Sequence, residues 1–434
     1  MRRQALNLLF LLAPMSAAAQ GPVRLTLDQA IERARIGHPA VARARAARQS
    51  READRTGSMA AYLPRIATDW SFMRTDDPVA VFGSKLRQGR FAGPDLALDA
   101  LNHPSPVTNV GVGLTVEQPL ITLDGWSGRK AALAGADAGR LAEGRALQIV
   151  QFDAVASYFA AVVASERVSV LDTALTAARQ TLGQVRSLRR EGVVTQVDEQ
   201  LVLARVSELE AQVAMAIAER QGSADRLLLA LGENPGQALE LTDPIDVAVV
   251  DSAPSPRLDL AALRQGLAAT SANVDRARFQ RLPNLGAFGA LNWNQKNLGA
   301  LAGPRHWTVG LAVRWIPFRG LQDQADIQRA RAERDLAEAE LRGAERTATA
   351  EVRSAEARHQ AATAGVAAAD RALDYATQAA RIAASRYTGG VATISELLAV
   401  RAAEAGTRLA RLEALYQARV AAAALRLARG GDPR

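Results

Sequence analysis

The chain has 434 residues and no cysteine, which excludes a disulfide framework, thiolate metal ligands and a cysteine nucleophile. Its 53 Lys and Arg residues against 45 Asp and Glu give a net charge of +8, which would suit nucleic acid or anionic lipid as a partner. The arginines are spread along the whole chain, and no basic cluster contains the aromatic residues that grip bases. We therefore expect no nucleic-acid partner.

Residues 1–19 have the pattern of a secretory signal peptide. Arg2 and Arg3 precede an apolar run over residues 5–14, and three alanines stand before Gln20. The run is too short to cross about 30 Å of hydrocarbon, and no later stretch offers about 20 uninterrupted apolar residues. We expect export, a mature chain that begins at Gln20, no membrane helix and, since cysteine is missing, no lipid anchor.

The distribution of proline indicates an internal duplication. Residues 120–234 and 318–432 contain no proline, and Pro119 and Pro317 stand directly before these two segments. The sequence predicts a signal peptide at 1–19, repeat 1 at 20–232, a linker at 233–256 and repeat 2 at 257–430. In repeat 1 a helix precedes strands at about 65–74 and 109–118 and a long helical hairpin at 120–232. In repeat 2 a helix precedes strands at about 284–293 and 306–316 and a long helical hairpin at 318–430.

The four predicted strands alternate apolar residues with small or polar ones. The fourth is the clearest, with Trp307, Val309, Leu311, Val313 and Trp315 on one face and Thr, Gly, Ala and Arg between them. A soluble sandwich would bury the apolar face on a second sheet, whereas an outer-membrane barrel would turn it towards lipid. Strands of about 9 to 11 residues fit the barrel.

Tryptophan is concentrated in these strands. Trp70, Trp293, Trp307 and Trp315 lie in them, which predicts an aromatic girdle at the membrane interface.

The proline-free segments carry coiled-coil patterns. Apolar residues step by four and three along them, for example at Leu171, Leu175, Ala178, Leu182 and Val185. A helix over residues 121–191 would be about 105 Å long, which is far beyond a globular helix.

The combination resembles the TolC-like outer-membrane efflux family over the whole mature chain. The matching points are Leu25-Thr26-Leu27-Asp28-Gln29-Ala30-Ile31 through His38-Pro39 at the first helix, Leu63-Pro64 before strand one, Pro119 after strand two, Gly232 to Gly236 at the internal boundary, and a Gly-x-x-Thr turn in each hairpin. Thr26 and Gln29 also form a plausible capping box, and Pro39 interrupts the helix.

This resemblance implies a mixed membrane fold. Each chain of a homotrimer would give four strands to a 12-stranded transmembrane β-barrel and long antiparallel helices to a periplasmic α-barrel. The implied function is a passive exit duct in the outer membrane of a Gram-negative bacterium. It would carry small toxic compounds or secreted protein from a periplasmic adaptor and an inner-membrane pump of the RND, ABC or MFS type. Four strands with two open edges also favour oligomerisation, because lipid does not tolerate an open edge.

Two groups of residues at the hairpin turns are candidates for function. Relatives dock their adaptor at such turns, which are otherwise ordinary helix connections; the residues are Gly192, Val193, Thr195, Gly389, Gly390, Val391 and Thr393. Three carboxylates beside them would form rings in a trimer or else only stabilise helix ends; they are Asp198, Glu199 and Glu396. The resemblance also implies a polar latch, because Tyr387 and Asp198 match positions that relatives use for one. Ala392 stands where some relatives carry an arginine.

We expect no enzymatic activity, cofactor or metal site. The four histidines lie far apart in sequence, and no nucleotide loop or nucleophile elbow is present. The competing functions are a periplasmic adaptor and a structural coiled-coil protein that bridges the two membranes. An adaptor normally has a single hairpin flanked by small soluble β-domains, so two hairpins and strands of membrane length favour the duct.

Overall fold

The structure is a computed structural model that describes residues 23–246, 255–297 and 303–434. The predicted signal peptide at 1–19, and the part of the predicted linker at 247–254, lie outside the described residues.

Helices make up most of the described chain, and two of them, with 68 and 67 residues, are far longer than the rest. The helices are α1 (Leu27–Gly37), α2 (Pro39–Gly57), α3 (Pro78–Arg87), α4 (Leu98–Asn102), α5 (Leu123–Arg190), α6 (Gln196–Leu231), α7 (Leu258–Phe279), α8 (Gln322–Thr388) and α9 (Ile394–Ala428), with short 3-10 turns at Ser58–Ala61 and Gly93–Leu96.

The strands form two sheets. Four of them make an antiparallel sheet in the order β2, β3, β5, β6, and the other two pair in parallel. Their bounds are β1 (Val23–Leu25), β2 (Arg65–Thr75), β3 (Val107–Ile121), β4 (Leu239–Leu241), β5 (Asn284–Gln295) and β6 (Arg305–Arg314).

The sequence expectation was wrong at the end of β6. This strand stops at Arg314, so Trp315 lies outside the ladder, where its indole Nε1 donates to the carbonyl of Arg281 at 3.1 Å. Pro317 accounts for the difference, because proline has no N–H to donate and restricts the backbone of the residue before it.

The connection between β2 and β3 is folded rather than irregular. Pro78 occupies the first turn of α3, and the carboxylate of Asp77 caps that helix by accepting from the backbone N–H of Ala80 at 2.7 Å. Lys85 on α3 forms an ion pair at 2.8 Å with Asp95 in the following 3-10 turn.

The chain divides into two compact units, and α2, α5 and α8 contribute to both. The described residues of the first unit are 23–42, 147–246, 255 and 351–434; those of the second are 43–146, 256–297 and 303–350.

The first unit has a core around Tyr158 and Phe159, which are fully buried with Leu25, Leu227 and Leu231. Thr26 caps α1 in a capping box with Gln29, as the sequence predicts. A second core follows the coiled-coil seam on α5 and α6, and the predicted seam residues from Leu171 to Val185 are buried there.

The second unit contains the four-stranded sheet, whose two faces differ. Register places Trp70 opposite Val112, which in turn lies opposite Trp293, so these three share one apolar face. Asp69 lies opposite Gly113 on the other face, which also carries Ser71, Asn292 and Thr308. The outward apolar side chains of the edge strand β6 are exposed.

Within the described residues, one helix, Leu123–Arg190, includes an 18-residue stretch that could span a bilayer by length and composition. Half of that stretch is buried within the chain, as in the core helix of a packed protein.

Candidate functional site

The turn between α5 and α6 is built by a left-handed glycine and a threonine cap. Gly192 has φ +79°, a conformation that glycine adopts without a steric penalty, and it ends α5. Thr195 Oγ1 accepts from the backbone N–H of Asp198 at 3.3 Å, and the Asp198 carboxylate accepts from the backbone N–H of Thr195 at 2.8 Å. Val193 protrudes between them with 66% of its surface exposed.

The turn between α8 and α9 repeats this arrangement. Gly390 has φ +74°, whereas Gly389 keeps an ordinary φ. Thr393 Oγ1 accepts from the N–H of Glu396 at 3.2 Å, and Glu396 accepts from the N–H of Thr393 at 3.1 Å. Val391 is 70% exposed. Each turn therefore presents one exposed valine between a left-handed glycine and a threonine capping box.

Both turns belong to the first unit and lie beside one core. Val185 and Val202 of the first hairpin pack in the same cluster as Ile394 and Leu397 of the second. That cluster packs the ends of the two hairpins against each other.

Three of the four candidate gate residues are committed to local contacts. Asp198 and Glu396 are the acidic partners of the two capping boxes. Glu199 is buried and forms ion pairs with Arg186 at 3.0 Å and Arg189 at 2.6 Å. The two arginines neutralise its charge, so Glu199 ties α6 to α5 and is not an open carboxylate.

Tyr387 is the fourth candidate. Its hydroxyl is buried and has no hydrogen-bond partner. Burial raises the pKa of Tyr387, and the nearby carboxylate of Asp198 raises it further. The structure thus brings Tyr387 of one hairpin close to Asp198 of the other, without a direct hydrogen bond between them.

One buried carboxylate, Glu404 on α9, was not predicted from the sequence. Glu404 forms ion pairs with Arg401 at 3.3 Å and Arg408 at 2.7 Å, and it lines a cavity of about 90 Å³ with Arg205 and Leu209. Its spacing of three and four residues from the arginines is the signal that could have found it, although that spacing is equally common on solvated helix faces.

The predicted aromatic girdle is distributed unevenly along the sheet. Trp293 and Trp307 lie near the strand ends that face the β2–β3 and β5–β6 connections, and Trp315 follows the opposite end of β6. Trp70 lies in the middle of β2, away from either end. Aromatic girdles form at the two membrane interfaces, so the positions of the other three tryptophans fit one and that of Trp70 does not.

His103, in the β2–β3 connection, and His306, in β6, have separate partners. His103 contacts Asp99, and His306 contacts the carbonyl of Arg87. Residues 23–246, 255–297 and 303–434 contain no group of three side chains that could hold a metal ion.

Comparison with known proteins places this geometry in a family. The family model described as "Outer membrane efflux protein" matches residues 30–233 and 249–431. No protein of curated function matches the chain in sequence.

Solved structures have the same fold. A membrane protein from Pseudomonas aeruginosa aligns with a TM-score of 0.77 at 21% identity, over 93% of this chain and 90% of its own. The outer membrane protein VceC from Vibrio cholerae aligns with 0.78 at 18%, over 94% and 97%. The open state of the Neisseria gonorrhoeae MtrE outer membrane channel aligns with 0.76 at 19%, over 94% and 89%. The fold is that of outer-membrane channels, and the chain belongs to the outer membrane efflux protein family.

Proposed function

We propose that three copies of this efflux protein form a passive duct through the outer membrane of a Gram-negative bacterium. The observation that carries the proposal is the two-faced sheet of the second unit. One face is apolar, with the side chains of its outer strands β2 and β6 exposed, and the other carries Asp69, Ser71, Asn292 and Thr308. Such a sheet suits the wall of a barrel that has lipid against its apolar face and water against its polar face.

The sheet edges support assembly of several chains, and the family resemblance implies that their number is three. Among the described strands, β2 and β6 each have a neighbour on one side alone. Unpaired backbone groups are costly in lipid, so β2 of one chain would pair with β6 of the next. Three such joins close a barrel of 12 strands without any further element.

The partners would be a periplasmic adaptor and an inner-membrane pump. Support comes from the two turns, whose exposed valines and tightly capped backbones offer six small apolar knobs per trimer. Helical hairpins of an adaptor would pack between such knobs, as coiled-coil side chains do. The transported compounds would be selected by the pump rather than by a binding pocket in the duct.

A periplasmic gate would lie just beyond the turns. Tyr387 lies on the second hairpin and packs against the core of the first, whose Asp198 carboxylate raises the pKa of the phenol; this proximity supports a polar contact that would break when the hairpins separate. Glu396 is exposed and would repeat three times around the axis, where it would favour cations.

The trimeric duct is tested by fractionation and gel migration. We expect the protein in the outer membrane as a species of three chains that dissociates on boiling, and we expect it to co-purify with an adaptor and a pump after cross-linking. A soluble periplasmic monomer would support the adaptor or the structural coiled coil instead.

A further inference from the structure

The segment after α3 is attached to the four-stranded sheet by a buried amide network. The Gln88 side-chain amide donates to Asn109 Oδ1 and to the carbonyl of Thr108, both at 2.8 Å. Asn109 in turn donates to Asn294 Oδ1 at 3.0 Å. Gln88, Asn109 and Asn294 are all buried, so this network would be expensive to open.

A second contact fixes the same end of α3. His306 Nε2 lies 2.9 Å from the carbonyl oxygen of Arg87, the last residue of the helix. Register puts His306 opposite Asn292, and Asn294 opposite Gly111, on the polar face of the sheet. The helix is therefore fastened to the polar face, opposite the one that carries Trp70.

The free side of α3 is apolar. Val81 and Ser84 are buried, whereas Val79, Phe82 and Leu86 are exposed, Val79 to 80%. At about 100° per residue these two sets lie on opposite sides of the helix. A solvated surface helix would carry polar residues on its exposed side.

We propose that α3 is an outer gate of the duct. The proposal rests on the trimeric barrel, in which the polar face of the sheet lines the lumen. Three copies of α3, one from each chain, meet there through Val79 and Leu86 and close the lumen to hydrated solutes by an apolar constriction.

The dimensions allow this closure. Twelve strands about 4.8 Å apart and tilted by about 40° enclose a barrel with a radius of about 12 Å. A helix with its side chains is about 10 Å across. One α3 on each chain's inner wall therefore reaches almost to the axis, and three of them fill the opening.

The experiment measures access to the lumen from outside. The chain has no natural cysteine, so Thr115→Cys on the polar face of β3 provides a single thiol. Intact cells are treated with a bulky, membrane-impermeant maleimide. The labelling rate is compared with that of Leu98→Cys, an exposed residue of the same connection that lies outside α3.

We expect slow labelling of Thr115→Cys and fast labelling of Leu98→Cys in the otherwise unchanged chain. Adding Gln88→Leu, which removes a buried hydrogen bond, should speed labelling at position 115 by about tenfold or more. The exposed pair Val79→Ser and Leu86→Ser should do the same without disturbing the anchor, while labelling at position 98 stays unchanged.

Each other result overturns a distinct claim. Labelling at position 115 that is as fast in the unchanged chain as in a chain lacking residues 78–102 would overturn the gate. Absence of the boiling-sensitive trimer in all variants would overturn the duct itself, on which the gate depends.

Discussion

At the scale of single residues, Tyr158 ties the start of the chain to α5. Its hydroxyl donates to Asp243 Oδ2 at 2.9 Å and lies 3.0 Å from the carbonyl of Leu25, while Asp243 also accepts from the backbone N–H of Leu27 at 2.6 Å. Tyr158 is fully buried. One phenol thus holds β1, the segment after β4, and the long helix together.

Tyr158→Phe should destabilise the protein by about 1–3 kcal/mol, because the Asp243 carboxylate loses a buried donor. Thermal unfolding in detergent, followed by circular dichroism, measures the loss. Tyr375→Phe is the matched control, since Tyr375 is exposed, and its melting temperature should not move. Equal effects of the two changes would contradict the role of Tyr158.

The same tyrosine predicts a pH dependence. Burial raises the pKa of Tyr158 to about 12, so the folded state favours the protonated phenol. The stabilisation is complete below the ordinary tyrosine pKa of about 10 and is lost as pH rises from there through about 12. The stability difference between the unchanged chain and Tyr158→Phe should therefore shrink over that range, and a constant difference would refute this account.

The charges beside the turns can be separated from their capping role. Glu396→Gln keeps an amide oxygen for the capping box but removes the charge, whereas Glu396→Ala removes both. If Glu396 forms a ring in the pore, both variants lower the cation preference of single channels, and the alanine variant alone lowers the melting temperature. Unchanged selectivity in both would leave Glu396 as a helix cap.

Resting conductance tests the other half of the gate. Tyr387→Phe together with Asp198→Asn should raise the conductance of reconstituted channels, because the electrostatic contact between the two hairpins is removed while the cap at Thr195 keeps an acceptor. Glu199→Gln serves as a comparison, since Glu199 is paired with Arg186 and Arg189 and should affect stability rather than conductance. The same conductance in the double variant and the unchanged channel would exclude a latch at Tyr387.

At the scale of elements, the two turns depend on glycine in a left-handed conformation. Replacing Gly192 and Gly390 with leucine strains backbones at φ +79° and +74° and reshapes the surface around the valines. We expect transport to be lost while the trimer persists, as measured by drug accumulation and by gel migration. Gly183→Ala is the control, because Gly183 lies within α5 with open space around it, and transport should survive there. Loss of the trimer in the leucine variants would assign the effect to folding.

Elements with long, regular patterns were predictable, and short ones were not. The seam from Leu171 to Val185 was predictable because apolar residues, which the structure buries, recur about once per helical turn over many residues. β1 and β4 were missed, since each has three residues and their parallel pairing joins positions far apart in sequence. α3 was not predicted, although Pro78 in its first turn is a common helix start.

Some features of the candidate site were predictable from the sequence and others were not. The Gly-x-x-Thr spacing predicted both turns and their caps, because the glycine and the threonine that each turn needs lie within four consecutive residues. The pairing of Glu199 with Arg186 and Arg189 was not foreseen, since it depends on how two antiparallel helices face each other. Sequence spacing marks Glu199 as an acidic residue in a first turn and says nothing of its burial.

At the scale of the whole molecule, the proposed duct has its sheet in the outer membrane, the β2–β3 connection outside the cell and the helix turns in the periplasm. Gly93 and Gly192 lie in these two places, and an added side chain would meet nothing within 4 Å at either of them. A short protease-recognition insertion beside either glycine therefore has open space around it, and the insertion beside Gly192 serves to read topology alone, because it alters a turn on which transport depends.

Cleavage of these two insertions on intact cells measures the topology directly. We predict that the protease cuts the insertion at Gly93 on intact cells and reaches the one at Gly192 after the outer membrane has been permeabilised. Protection at Gly93 with cleavage at Gly192, or cleavage of neither on intact cells and of both in the soluble periplasmic fraction, would contradict an outer-membrane duct.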